Sequence, residues 1–129
     1  MLLNLQFAWC WFLAGVLTGT IQGLWFHRAD WMGGYDSWRR RLMRLGHVAF
    51  FGTGLLNLCF YLSVETTEVM AALVPPAGIL LAIGGLTMPI VCYLAAWRER
   101  LRWFFPLPVV TLVLGVALAA AAFLIAGAE

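Results

Sequence analysis

The chain has 129 residues and a formal charge of +2; 64% of it is hydrophobic and only 11% charged, with a mean hydropathy of +0.91. A soluble domain is nearer half apolar and about a quarter charged, so this composition excludes an ordinary soluble enzyme and belongs to a bilayer. A spanning helix takes roughly 20 apolar residues, so four of them with short loops use nearly everything and leave a single transmembrane domain over 1–129.

The first apolar run predicts a helix over residues 5–26. No basic residue stands ahead of it, as one would in a cleaved signal peptide, so it is expected to stay as a helix. Gly15, Gly19 and Gly23 form a GxxxGxxxG ridge on it. Small residues four apart share one face and let helix backbones approach, so this ridge is a packing surface within the bundle or towards a partner. Thr18, Thr20 and Gln22 are its polar residues, and His27 closes it.

Residues 29–35, with Gly33-Gly34, read as a turn. Asp36-Ser37 then offers a cap, and a second helix is expected over 38–63, starting outside the apolar core with Arg39, Arg40, Arg41 and Arg44. These four arginines would hold anionic lipid headgroups or an acidic partner surface, or do no more than set topology. Deeper in the helix lie His47, Thr53 and Asn57. Glu65 and Glu68 mark the middle loop. A third helix is expected over 73–97, with Pro75-Pro76 in its first turn, Thr87 in its span, and a kink where Gly84-Gly85 precedes Pro89. Arg98, Arg100 and Arg102 follow. The fourth helix is expected over 104–126, with Pro106 and Pro108 at its start and Thr111, Gly115 and Ala119 as a second ridge of small residues.

Charge placement predicts orientation. All eight basic residues are arginines, and all lie in the first and third loops or the helix ends beside them. Less Asp30, Asp36 and Glu99, that side carries +5; Glu65, Glu68 and Glu129 give the other side −3, together the formal +2. The positive-inside rule makes the arginine side cytoplasmic and both termini external, so the expected fold is all-α: a polytopic four-transmembrane-helix bundle, N-out/C-out, in a bacterial inner membrane. Trp25, Trp31, Trp38, Trp97 and Trp103 gather at the arginine side, with Trp9 and Trp11 near the other, as in an aromatic belt. Cys10, Cys59 and Cys92 form no CxxC pair and read as small buried hydrophobes.

No serine–histidine–acid set, phosphate-binding glycine loop or zinc spacing can be assembled, so no enzyme is expected, and nothing points to nucleic acid. The absence of any acid, lysine or arginine deep in a span demotes a coupled transporter. A channel or transporter would have to use Pro89 and Gly84-Gly85 as a hinge and Thr18, Gln22, Thr53 and Asn57 as a polar path. His47 has two readings. With His27 as the opposite ligand it could hold haem b, giving a stand-alone electron carrier; otherwise it hydrogen-bonds a neighbour such as Gln22 and is interhelical glue. The stretch from Arg41 through Gly46-His47-Val48-Ala49-Phe50-Phe51-Gly52 to Asn57 resembles a haem-ligating helix of the haem–copper oxidases and nitric oxide reductases, a likeness confined to one helix. It implies haem near His47, but the other metal-ligand histidines of those enzymes are absent. The expectation is a small non-catalytic subunit of a larger membrane complex, respiratory in kind. It would pack through Gly15, Gly19, Gly23 and Gly115 against membrane lipids and other subunits, and bind lipid, quinone or haem near His47, His27, Asn57 and Gln22.

Overall fold

The computed structural model of the protein describes residues 2–127. It consists of four long helices, α1 (Leu2–Phe26), α2 (Trp38–Thr66), α3 (Val74–Trp97) and α4 (Pro106–Ala126), joined by loops that carry short 3₁₀ turns at Trp31–Gly33, Ala71–Leu73 and Glu99–Phe104. All four are long and apolar enough to cross a membrane, and the described residues contain no strand. Glu129 lies outside the described residues.

The elements start and stop for identifiable reasons. Ser37 caps α2, its hydroxyl accepting from the Arg40 N–H at 3.2 Å and donating to the Met32 carbonyl at 2.7 Å. The turn before it needs three consecutive left-handed residues, and two of them are glycines: Met32 (φ 54°), Gly33 (φ 86°) and Gly34 (φ 96°). Prolines occupy the first turns of α3 and α4, where a missing N–H costs nothing. With 29 residues, α2 is about 43 Å long at 1.5 Å per residue, well over an apolar core of about 30 Å. Its excess length is the arginine-bearing start and the Glu65-Thr66 end.

The helices do not close into a square. α2 and α3 pack side by side at the centre, α1 lies mainly on α2, and α4 mainly on α3. The most apolar stretches of the two edge helices are 17% buried each, against 39% for α2 and 44% for α3. Small side chains put α3 at the centre: Ala77, Gly78, Gly84, Gly85, Cys92, Ala95 and Ala96 are all buried. One apolar core joins Phe60, Val74, Ala77 and Leu81, with Leu112 and Phe123 of α4 against it. A second, at the arginine end, joins Leu42, Ala95 and Ala96. The two ends are tied by loop contacts: the Met70 N–H donates to the Ala122 carbonyl at 3.0 Å, and Arg39 Nη2 to the Trp97 carbonyl at 3.2 Å.

Two expectations change, and a third feature gains an explanation. α3 runs from Val74 to Trp97 with Pro89 inside it. The carbonyl that the proline leaves free, that of Gly85 four residues earlier, accepts from Trp11 Nε1 at 2.9 Å. Trp11 is therefore a contact between helices and not part of an interfacial belt; Trp9, 63% exposed, is free to be. Of the three cysteines only Cys92 is buried; Cys10 and Cys59 are exposed.

Candidate functional site

Three polar constellations interrupt this apolar framework, and two of them are closed off from the surface. The first surrounds Arg40, which is 1% exposed. Its guanidinium stacks between Phe26 and Tyr35, 4.5 and 4.6 Å from the ring centroids, with Trp31 at 5.6 Å. Nη2 donates to the Phe26 carbonyl at 2.6 Å and Nη1 to the Arg28 carbonyl at 3.3 Å. A cation at the C-terminus of α1 meets both the orphaned carbonyls and the negative end of the helix dipole. Aromatic faces surround the rest of the cation, whose Nε has no hydrogen-bond partner. Arg40 is thus a latch holding the first loop over the end of α1.

The second constellation lies towards the acidic end and joins three helices. Asn4 Nδ2 donates to Asn57 Oδ1 at 2.7 Å and to the Gly78 carbonyl at 2.9 Å. Asn57 Nδ2 donates in turn to the Thr53 carbonyl at 2.9 Å and the Leu81 carbonyl at 3.3 Å. Asn57 is 0% exposed and Asn4 3%. Buried amides with their donors used are structural glue.

The third constellation is open. Gly19, Gln22, Gly23 and Phe26 of α1 and Arg44, His47 and Val48 of α2 line a groove of about 400 Å³ between the two helices. The His47 ring lies over Gly19: a Cβ on that glycine would stand 2.5 Å from His47 Cε1, whereas one on Gly23 would meet nothing within 4 Å. The ring stands edge-on to Phe51, 5.4 Å between centroids. His47 Nδ1 is buried and has no hydrogen-bond partner. Leaving such an atom unpaired costs about 1–3 kcal/mol, so the ring has an unused bonding capacity beside the groove. One turn towards the arginine end, the Arg44 guanidinium lies 5.4 Å from the centroid of Tyr35.

The residues singled out in the sequence fall into different places. Of His47, His27, Asn57 and Gln22, only His47 and Gln22 line the groove. Asn57 follows His47 by ten residues, about 15 Å along α2, and belongs to the asparagine node. His27 is exposed past the end of α1. Because His47 stands level with Gly19, eight residues before His27, the two histidines differ in height by about 12 Å. Axial ligands must flank one iron, so this chain does not bring the pair together as a bis-histidine site. Among the described residues no group of three or more His, Cys, Asp or Glu could hold a metal ion. Gln22 does not bond His47 either; its Nε2 donates to the Tyr93 hydroxyl at 2.7 Å, linking α1 to α3. The hydroxyls of Thr18 and Thr53 bond back to the Ala14 and Ala49 carbonyls of their own helices, so Thr18, Gln22, Thr53 and Asn57 do not form a polar path.

The four arginines of α2 also separate: Arg39 reaches the Trp97 carbonyl, Arg40 is the latch, Arg41 is exposed, and Arg44 lines the groove. In the glycine ridge, Gly15 takes Phe51, at 2.8 Å from a built Cβ, and Gly19 takes His47, while Gly23 is left open; on α4, Gly115 takes Leu81 at 3.0 Å. Asn4, Tyr35 and Tyr93 are partners that the sequence reading passed over. The spacing of Arg44 and His47, three apart and hence on one helix face, was the available signal for the groove. Comparison of the chain with models of known protein families, with curated proteins and with solved structures gives no match.

Proposed function

We propose that this chain is a small non-catalytic subunit of a larger membrane assembly, and that the groove between α1 and α2 holds an amphiphilic membrane constituent for that assembly. In this reading the arginine-rich end faces the cytoplasm and the termini lie outside, in a bacterial inner membrane, as the charge asymmetry favours. The observation that carries the proposal is how the polar groups are used. Asn4, Asn57, Trp11, Gln22 and Tyr93 are spent on contacts between helices, while His47 has an unpaired nitrogen and lines an open groove. The other buried side-chain polar atom without a partner among the described residues is Arg40 Nε, enclosed among aromatic rings, so His47 is the one such residue that borders an open groove, an arrangement suited to binding.

The resemblance of α2 to a haem-ligating helix makes a respiratory complex the first partner to look for. Haem itself would need its second axial ligand from another subunit, since His27 lies at a different height. Purification from the native membrane in mild detergent tests the proposal. Companion polypeptides and an extractable lipid or quinone are expected. A solitary chain with an empty organic extract contradicts it.

A further inference from the structure

We propose that the occupant of this groove is an anionic phospholipid, with its phosphate on Arg44, its headgroup over Gly23 and a glycerol ester carbonyl on His47. The inference rests on the groove reading above and names the ligand. Charge is the first argument. The described residues contain one ion pair, Arg102 with Glu99 at 3.2 Å, so no carboxylate neutralises Arg44, whose only charge-related contact is the Tyr35 ring. A guanidinium offers phosphate a planar fork of donors, and a basic residue at the membrane surface favours anionic headgroups. A neutral quinone head would leave this charge unanswered.

Spacing is the second argument. Arg44 and His47 are three residues apart, so their Cβ atoms are about 5–6 Å apart on one face, with the arginine nearer the loop end. A phospholipid presents its groups in the same order, phosphate outermost and ester carbonyls next. The His47 ring lines the groove, and a ring N–H turned towards it would donate to the ester carbonyl. Space is the third. The groove of about 400 Å³ takes a headgroup and its glycerol junction, and Gly23, about level with Arg44, leaves open space beside the phosphate.

Native mass spectrometry of the full chain, purified in detergent and offered equal amounts of phosphatidylglycerol and phosphatidylcholine, tests this. The wild-type chain should retain phosphatidylglycerol preferentially. Arg44→Gln should reduce that retention about fivefold, the equivalent of about 1 kcal/mol for one basic residue at the surface, while Arg41→Gln, an exposed arginine outside the groove, leaves it unchanged. Gly23→Leu, at a position where an added Cβ meets nothing within 4 Å, crowds the groove and should abolish retention; should that variant fail to fold, the two arginine variants still decide. Equal retention of the two lipids, or phosphatidylglycerol held as well by Arg44→Gln as by wild type, overturns the proposal. If Gly23→Leu instead expels a quinone, the phospholipid is wrong but the amphiphile groove stands. If Gly23→Leu displaces nothing at all, both fall.

Discussion

Gly19 and Gly23 lie one turn apart on α1, yet a methyl group added to each meets different surroundings. At Gly19 it collides with the His47 ring; at Gly23 it enters open space. Gly19→Ala should therefore destabilise the chain by about 1–3 kcal/mol through overpacking, whereas Gly23→Ala should be neutral or gain up to about 1 kcal/mol from helix propensity. Reversible unfolding in detergent micelles measures both. Arg40 allows a sharper test of the latch. Arg40→Lys keeps the charge but loses the planar fork that reaches the Phe26 and Arg28 carbonyls while stacking between Phe26 and Tyr35. A loss of about 2 kcal/mol is expected, with faster proteolysis between residues 27 and 37. These roles were only partly legible in the sequence. The cap at Ser37 and the grouping of arginines follow from local chemistry and could be read. That Gln22 bonds Tyr93 and not His47, or that Arg40 is buried while Arg41 is exposed, depends on how the helices are rotated about their axes. Residue spacing does not contain that information.

On the scale of the elements, α3 is the instructive case. Sequence reading expects a kink near Gly84-Gly85 and Pro89, because the proline cannot donate to the Gly85 carbonyl. That carbonyl accepts from Trp11 of α1 instead, within a helix that runs from Val74 to Trp97. A double-mutant cycle isolates the effect. Trp11→Phe should cost about 1–2 kcal/mol where Pro89 is present, and about 1 kcal/mol less in a Pro89→Ala background, where the helix satisfies its own carbonyl. Equal costs in both backgrounds would show that Trp11 contributes only packing. The existence and approximate limits of the four helices were legible from four uninterrupted apolar runs. The identity of the central pair was not, since all four runs are apolar throughout. Only the concentration of Ala, Gly and Cys on α3, which lets its neighbours approach closely, distinguishes it.

For the molecule as a whole, edge helices with little burial and a core confined to α2 and α3 describe a layer open on both sides. Its polar chemistry is concentrated at the end where the first and third loops meet, and that end carries every arginine. Arg44 can serve as the mouth of the α1–α2 groove only if that end sits among headgroups, which the proposed orientation puts in the cytoplasmic leaflet. Sidedness is therefore the property on which the functional account depends. It is measured most directly with single cysteines, Glu68→Cys in the acidic loop and Arg100→Cys in the third loop, after Cys10, Cys59 and Cys92 have been replaced by alanine. In intact bacterial cells a membrane-impermeant maleimide should label Glu68→Cys at once and Arg100→Cys only after lysis. Labelling of Arg100→Cys in intact cells, with Glu68→Cys protected, would contradict the account.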